Sequence, residues 1–159
     1  MAEEVNMKKA NEVFNTLTRM MDELGLHYEK DEEKLMVKGG VVGDDLPIQY
    51  VIFVRPANEV VEFLSPMPFN MPEDKRVDGA LAVCVANYGL IDGSFDYDLS
   101  DGEIRFRLTS SYRESTLGKE LFEYMIMVSA QTIDDYNDKF FMLAKGMITV
   151  QQFIEQNKD

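Results

Sequence analysis

From about Glu4 to Leu24, the apolar residues Val5, Ala10, Val13, Phe14, Leu17, Met20, Met21 and Leu24 recur at steps of mostly three and four. That period predicts a helix with one apolar stripe, closed by Gly25 in a left-handed cap. Short strands are expected at 26–30 and 35–38, with the polar run Asp31-Glu32-Glu33-Lys34 turning between them. Gly39, Gly40 and Gly43 read as a bulge or wide turn, and Asp44-Asp45 with Pro47 breaks the pattern. Residues 48–54 are β-branched and aromatic, as strands prefer. Arg55-Pro56-Ala57-Asn58 predicts a turn, and residues 60–64 the returning strand.

Between Ser65 and Pro72 stand Pro66, Pro68 and Pro72, alternating with Met67, Phe69 and Met71. Proline lacks the N–H that a helix or a central strand needs, so an apolar connector is expected here. Glu73 and Asp74 suit the first turn of a second helix. Leu81, Val83, Cys84, Val85 and Tyr88 suggest that this helix is buried on more than one side, ending at Gly89 or near Asp92-Gly93.

Residues 94–99 and 103–109 each alternate polar with apolar, around Asp101-Gly102, a type I′ turn pair. A two-residue loop sets Leu99 opposite Ile104, Tyr97 opposite Phe106 and Phe95 opposite Leu108 on one face. Asp98 then meets Arg105, and Asp96 meets Arg107, on the other. Ser115-Thr116 offers a cap for a long helix from Leu117 to about Ala144. Gly146 breaks it, and Thr149 starts a short helix with Val150, Phe153 and Ile154 before a fraying tail. The expected architecture is therefore one α+β domain over 1–159. An antiparallel sheet is packed by helices in the order helix, three or four strands, helix, hairpin, helix. A short helical extension follows Gly146.

Charge narrows the partners. The chain carries 29 acidic and 16 basic residues, a net charge of −13. Such a surface repels phosphate backbones and anionic lipid, so neither nucleic acid nor a membrane is an expected partner. A single cysteine, Cys84, allows no internal disulfide. The acidic start Met1-Ala2-Glu3-Glu4 has no apolar signal segment, and no apolar run reaches the ~20 residues of a membrane span. Both features lead us to expect a cytoplasmic protein.

Candidate chemistry is sparse. His27 is the only histidine and has no second histidine or nearby cysteine to work with. Cys84 stands mid-helix among apolar neighbours, where thiols pack rather than react. One Cys and one His exclude Cys/His zinc sites. Asp92, Asp96, Asp98 and Asp101 lack EF-hand spacing, and the hairpin register supplies arginines for two of them. Asp134, Asp135 and Asp138 read as a solvated helix face, and the glycines form no phosphate loop. No catalytic residue, cofactor or metal is therefore expected. Eleven methionines mostly belong in a core but also suit adaptable contact surfaces. The stretch Pro66, Met67, Pro68, Phe69 and Met71 is the candidate partner surface, or else a loop covering the core edge.

One family resemblance rests on three stretches. These are Val85-Ala86-Asn87-Tyr88, then Gly93-Ser94-Phe95-Asp96-Tyr97-Asp98, then Asp101-Gly102-Glu103-Ile104-Arg105-Phe106-Arg107. With the element order, they resemble the YbjN family of bacterial domains, often labelled sensory transduction regulators, and more broadly the type III secretion chaperone-like fold. The resemblance implies an intracellular, often dimeric, non-enzymatic domain. Such chaperones are acidic and bind extended segments of partner proteins. The expected function is thus a chaperone-like or regulatory protein-binding domain acting as a homodimer. Two alternatives stay open. One is a small-molecule sensor with an apolar pocket between the long helix and the sheet. The other is an enzyme using Asp92 or Asp96 with a tyrosine.

Overall fold

Asn6 opens the first helix by accepting the Lys9 N–H on its side-chain oxygen at 3.0 Å, which satisfies one of the free amides of the first turn. The structure, a computed structural model, describes residues 5–157. The acidic start at Met1–Glu4 and the end of the fraying tail at Lys158-Asp159 lie outside the described residues. Helix α1 (Met7–Glu23) buries Ala10, Val13, Phe14, Leu17, Met20 and Met21 on the expected stripe. Gly25 follows at φ +66°, the expected left-handed close.

Six strands form one antiparallel sheet: β1 (Tyr28–Asp31), β2 (Met36–Val42), β3 (Pro47–Arg55), β4 (Val60–Asn70), β5 (Ser94–Tyr97) and β6 (Glu103–Ser111). Their order across the sheet is β1-β2-β3-β4-β6-β5. Helix α2 (Arg76–Tyr88) joins β4 to β5 through a single 3₁₀ turn, Glu73–Lys75. Helices α3 (Lys119–Ala144) and α4 (Val150–Gln156) come after the sheet. Along β3, β4 and β6 the buried residues alternate, so one face of the sheet carries the helices and the other lies open.

The proline-rich stretch is not a connector. It continues β4 to Asn70, a central strand between β3 and β6. Pro66 and Pro68 are two residues apart, so their missing N–H groups point to the same side. The ladder to β3 stops at Leu64, and that to β6 breaks register between Pro66 and Asn70. Pro66 keeps Arg105 opposite it on β6 but has no partner on β3, and Pro68 stands where both ladders have lapsed, so the two prolines are tolerated.

The hairpin keeps its face and changes its register. Phe95 faces Phe106, Asp96 faces Arg105, and Tyr97 faces Ile104, two residues away from the expected pairing. The cause lies in the turn. The Asp98 carboxylate accepts the Ser100 N–H at 2.8 Å and the Ser100 hydroxyl at 2.6 Å. The loop therefore starts early and closes with Gly102 N–H donating to the Asp98 carbonyl at 2.8 Å. Gly102 sits at φ +81°, and a Cβ there would lie 2.2 Å from the Met71 carbonyl oxygen. A shift of two preserves sidedness, so Phe95, Ile104, Phe106 and Leu108 all remain buried. Asp96 is left between two arginines, bonding Arg105 at 3.2 Å and Arg107 at 2.9 Å.

Rings from six elements meet behind this hairpin. Tyr50 stacks on Phe63 at 5.1 Å between centroids, Phe63 meets Phe106 at 6.5 Å, and Phe106 meets Phe95 at 5.3 Å. Phe95 then meets Phe140 of α3 at 5.1 Å, and Phe140 stacks on Phe153 of α4 at 5.4 Å. The side chains after Gly146 are thus joined to the core through Phe153, which is fully buried. The long helix starts two residues later than expected. Gly118 precedes it without a side-chain cap, and Ser115-Thr116 stay outside.

Phe106→Asp puts a charge among these rings. It is expected to abolish the cooperative unfolding transition followed by circular dichroism. Arg105→Ala, on the open face, is expected to cost about 0–1 kcal/mol in the same measurement. Alkaline pH supplies an independent check. Lost hydration, then the hydrogen bond to Asp22 and its charge, push the Tyr28 phenol from 10.0 up to about 12. Lost hydration also raises Tyr50, Tyr97 and Tyr112. A phenol that holds its proton more tightly when folded stabilises the fold fully below its unfolded pKa, and that stabilisation is lost as pH rises through the folded value. The melting temperature is therefore expected to fall between pH 10 and about 12, and Tyr28→Phe to make that fall shallower.

Candidate protein-contact surfaces

Strand alternation divides the candidate surface at Pro66, Met67, Pro68, Phe69 and Met71. Met67 turns into the core and Met71, just past the strand, is buried as well, while Pro66 and Pro68 are exposed on the open face. Phe69 is half-buried and meets Phe141 edge-on at 5.4 Å. What this stretch offers to solvent is two prolines and part of one ring. Around Pro66 the open face carries an apolar centre of Val51, Phe53 and Leu64, with Val51 and Leu64 directly paired. Charges flank it in pairs. Arg55 bonds Glu62 at 2.8 Å while lying 4.0 Å from the Phe53 ring centre, and Asp96 holds its two arginines.

Helix α2 departs furthest from expectation. It is buried on one side only, and that side is made of small residues: Gly79, Ala82, Val83 and Ala86. Gly79 lets the helix sit close, because a Cβ there would lie 2.6 Å from the Tyr97 hydroxyl and 2.7 Å from Met71 Cγ. The larger apolar residues point outward. Val77 is 70 % exposed and Tyr88 95 %, with Leu81 and Cys84 between them on the same stripe. Ile91, just beyond the helix, is 97 % exposed. Cys84 is therefore a surface thiol and not core packing. The signal for this stripe was present in the steps of four, three and four from Val77 to Tyr88.

Of the groups considered for catalysis, His27 and Cys84 are not brought together, whereas Asp92 does meet a tyrosine. His27 precedes β1 at one edge of the sheet, whereas Cys84 lies on α2, which packs against β5 at the opposite edge. Asp92 accepts a hydrogen bond from the Tyr124 hydroxyl, which holds the Tyr124 proton above its ordinary range. The Ser100 donors hold the Asp98 carboxyl low. Among the described residues no three His, Cys, Asp or Glu side chains group to hold a metal ion. The interior between α3 and the sheet is filled by the core, and the clefts open at the surface, one of them between α3 and the Val41–Ile48 end of the sheet. None of the described helices is long and apolar enough to cross a membrane.

The free edge of β5 is closed by a side chain. Asn87 donates to the Phe95 carbonyl at 2.9 Å and accepts the Phe95 N–H at 2.7 Å, in the manner of one more residue of a strand.

Residues 14–142 match the sequence model of the YbjN family, described as "Putative bacterial sensory transduction regulator". The chain belongs to the YbjN family. Among solved structures it is similar to "YbjN, a putative transcription regulator from E. coli" at 12 % identity and a TM-score of 0.58, covering 90 % of this chain and 92 % of that one. It is also similar to a chain of the HopA1–SchA chaperone–effector complex, at 12 % identity and a TM-score of 0.53, covering 85 % and 99 %. A chain of the ExsC–ExsE complex matches at 15 % identity and a TM-score of 0.54, covering 80 % and 94 %. The fold is therefore that of YbjN and of the type III secretion chaperones. A search of curated protein sequences finds no match. Two of the stretches that suggested the family surround Asn87 and Phe95, the residues that bind α2 to the hairpin.

Asn87→Ala strips both partners from the part-buried Phe95 backbone. It is expected to lower the unfolding free energy by about 1–3 kcal/mol in urea titration and to speed amide exchange at Phe95. Asn87→Asp, which keeps the acceptor and loses the donor, is expected to fall between Asn87→Ala and the parent chain.

Proposed function

We propose that this chain is a non-catalytic protein-binding domain of chaperone-like or regulatory type that acts as a homodimer. The solvent-facing stripe of Val77, Leu81, Cys84 and Tyr88, continued by Ile91, carries the reading. A helix that turns small residues inward and large apolar ones outward gains little by its own burial, so a partner surface is the natural use of its outer side. In a two-fold pair the stripe would meet itself, Leu81 and Cys84 of each copy lying near the axis. The type III chaperone-like fold supports a protein partner, since the similar chains were solved in complexes titled chaperone–effector and ExsC–ExsE. Of the two catalytic candidates, Asp96 is held by Arg105 and Arg107, which supports the non-catalytic part, while Asp92 is paired with Tyr124. Cytoplasmic placement belongs to the same reading, and rests on the fold and on the single cysteine.

Light scattering at micromolar concentration is expected to return the mass of a dimer. Leu81→Glu with Tyr88→Glu is expected to return a monomer that still unfolds cooperatively. A monomeric parent chain removes the dimer, and a doubly substituted chain that stays dimeric moves the interface off α2. Purification from native lysate tests the partner: recovery of the free domain with no enriched polypeptide counts against protein binding.

A further inference from the structure

Three segments far apart in the chain meet where α1 begins. They are the first turn of α1, the turn between β3 and β4, and the residues that follow β6. Hydrogen bonds and a ring hold them together. Tyr112 donates its N–H to the Glu59 carbonyl at 2.8 Å, and the Ser111 hydroxyl donates to the same oxygen at 3.3 Å. The Tyr112 ring is fully buried, with the Lys9 ammonium 5.6 Å from its centre. Between the three segments opens a cleft of about 470 Å³.

Charge in this cleft is balanced. Lys9 and Arg113 line it with cations, and Glu59 and Glu114 line it with carboxylates. The pairing among them is incomplete. Arg113 meets Glu59 through Nε at 3.3 Å, while Lys9 stands 4.0 Å from the other Glu59 oxygen. A guanidinium carries more N–H donors than one carboxylate takes up, and the Arg113 side chain is 62 % exposed. Among the described residues Glu114 has no lysine or arginine within 4.0 Å. Groups of both signs therefore keep unspent hydrogen-bonding capacity at the cleft.

The backbone supplies a second observation. Glu59 lies at φ +52° and Glu114 at φ +51°, in the left-handed region that favours glycine. Among the described residues Leu35 is the one other non-glycine residue held this way. Strain of this kind thus falls mainly on the two acids of a single cleft. Glu59 joins Lys9 to Arg113, which gives its carboxylate a use in the fold. Glu114 makes no ion pair that would explain its own conformation. Strained side-chain-bearing residues that the surrounding structure holds in place are a mark of ligand sites.

We propose that this cleft binds a free α-amino acid with a small apolar side chain. A simple anion meets Glu59 and Glu114 there, and a simple amine meets Lys9 and Arg113, so each is opposed by like charge. A zwitterion suits both pairs. Its carboxylate lies between the Arg113 guanidinium and the Lys9 ammonium, and its ammonium lies beside Glu59 and Glu114. Val5, Pro56 and Ala57 supply the apolar wall for its side chain. Because the ligand bridges three segments, binding strengthens the docking of α1 on the sheet. This adds a small-molecule input to the domain, away from the stripe on α2.

The probe is L-valine, titrated into the full chain at constant ionic strength and read by amide NMR and by melting temperature. Expected are saturable shifts at Lys9, Glu59, Arg113 and Glu114, with a dissociation constant on the order of millimolar and a melting temperature that rises with concentration. Isovalerate, which lacks the amine, and isobutylamine, which lacks the carboxylate, are each expected to bind about tenfold more weakly or worse. Arg113→Gln, at an exposed side chain, is expected to weaken L-valine binding about tenfold. Ala57→Phe fills the cleft without removing a charge, and is expected to abolish binding. Both variants are expected to keep the circular dichroism spectrum of the parent chain. The proposal is overturned if isovalerate or isobutylamine binds as tightly as L-valine, if the shifts map elsewhere, or if they fail to saturate or do not appear. It is also overturned if both variants bind L-valine as the parent does. Light scattering and lysate recovery report on neither result, so this site and the protein-binding reading fail separately.

Discussion

The run of ring contacts from Tyr50 through Phe63, Phe106, Phe95 and Phe140 to Phe153 is the constraint on which the other features depend. It ties β3, β4, β6 and β5 to α3 and α4 with one residue from each. Aromatic side chains bury large areas with few torsions to fix, and edge-on pairs add attraction beyond that burial. Because Phe95 and Phe106 occupy one face of the hairpin, the other face is free for the arginine and aspartate pairs. Because Phe153 stacks on Phe140, the chain beyond Gly146 is held to the same core.

Helix α2 is shaped by a shortage of packing room. The hairpin and Met71 lie so close beneath it that Gly79 meets Tyr97 and Met71, and only small side chains fit along that side. Close approach lets Tyr97 donate to the Arg76 carbonyl at 2.8 Å and Asn87 reach Phe95. The larger apolar residues of the helix are left facing solvent, which is why the surface proposed for dimerisation and the seal on β5 come from the same element.

Much of the element order was legible in the residues, since helix and strand periods are local. The stripe of α1, the alternation of β5 and β6 and the glycine closes at Gly25 and Gly146 all arise from spacing of a few residues. Three readings went astray for physical reasons. The hairpin register hinged on Asp98 taking the Ser100 donors, which starts the loop ahead of the Asp101-Gly102 pair. Pro66 and Pro68 were compatible with a strand only because the β3 ladder has ended beside both and the β6 ladder shifts register after Pro66. Cys84 and its companions looked like core because their apolar character does not say which side of the helix is covered. Of the surface suggested at Pro66–Met71, the prolines remain outside, whereas Met67 and Met71 are buried by strand alternation and by packing under α2.

By itself the sequence determined which residues must leave water, the faces on which they lie in each element, and the acidity that sets the chain apart from phosphate-binding proteins. The family stretches around Asn87 and Phe95 were also readable as residues, although the hydrogen bonds between them became visible only in the fold. Tertiary structure alone decided which apolar stripe found a cover, where a strand ran past its partner, and which carboxylates met a donor. Those outcomes depend on distances between segments far apart in the chain, which no local pattern of side chains encodes.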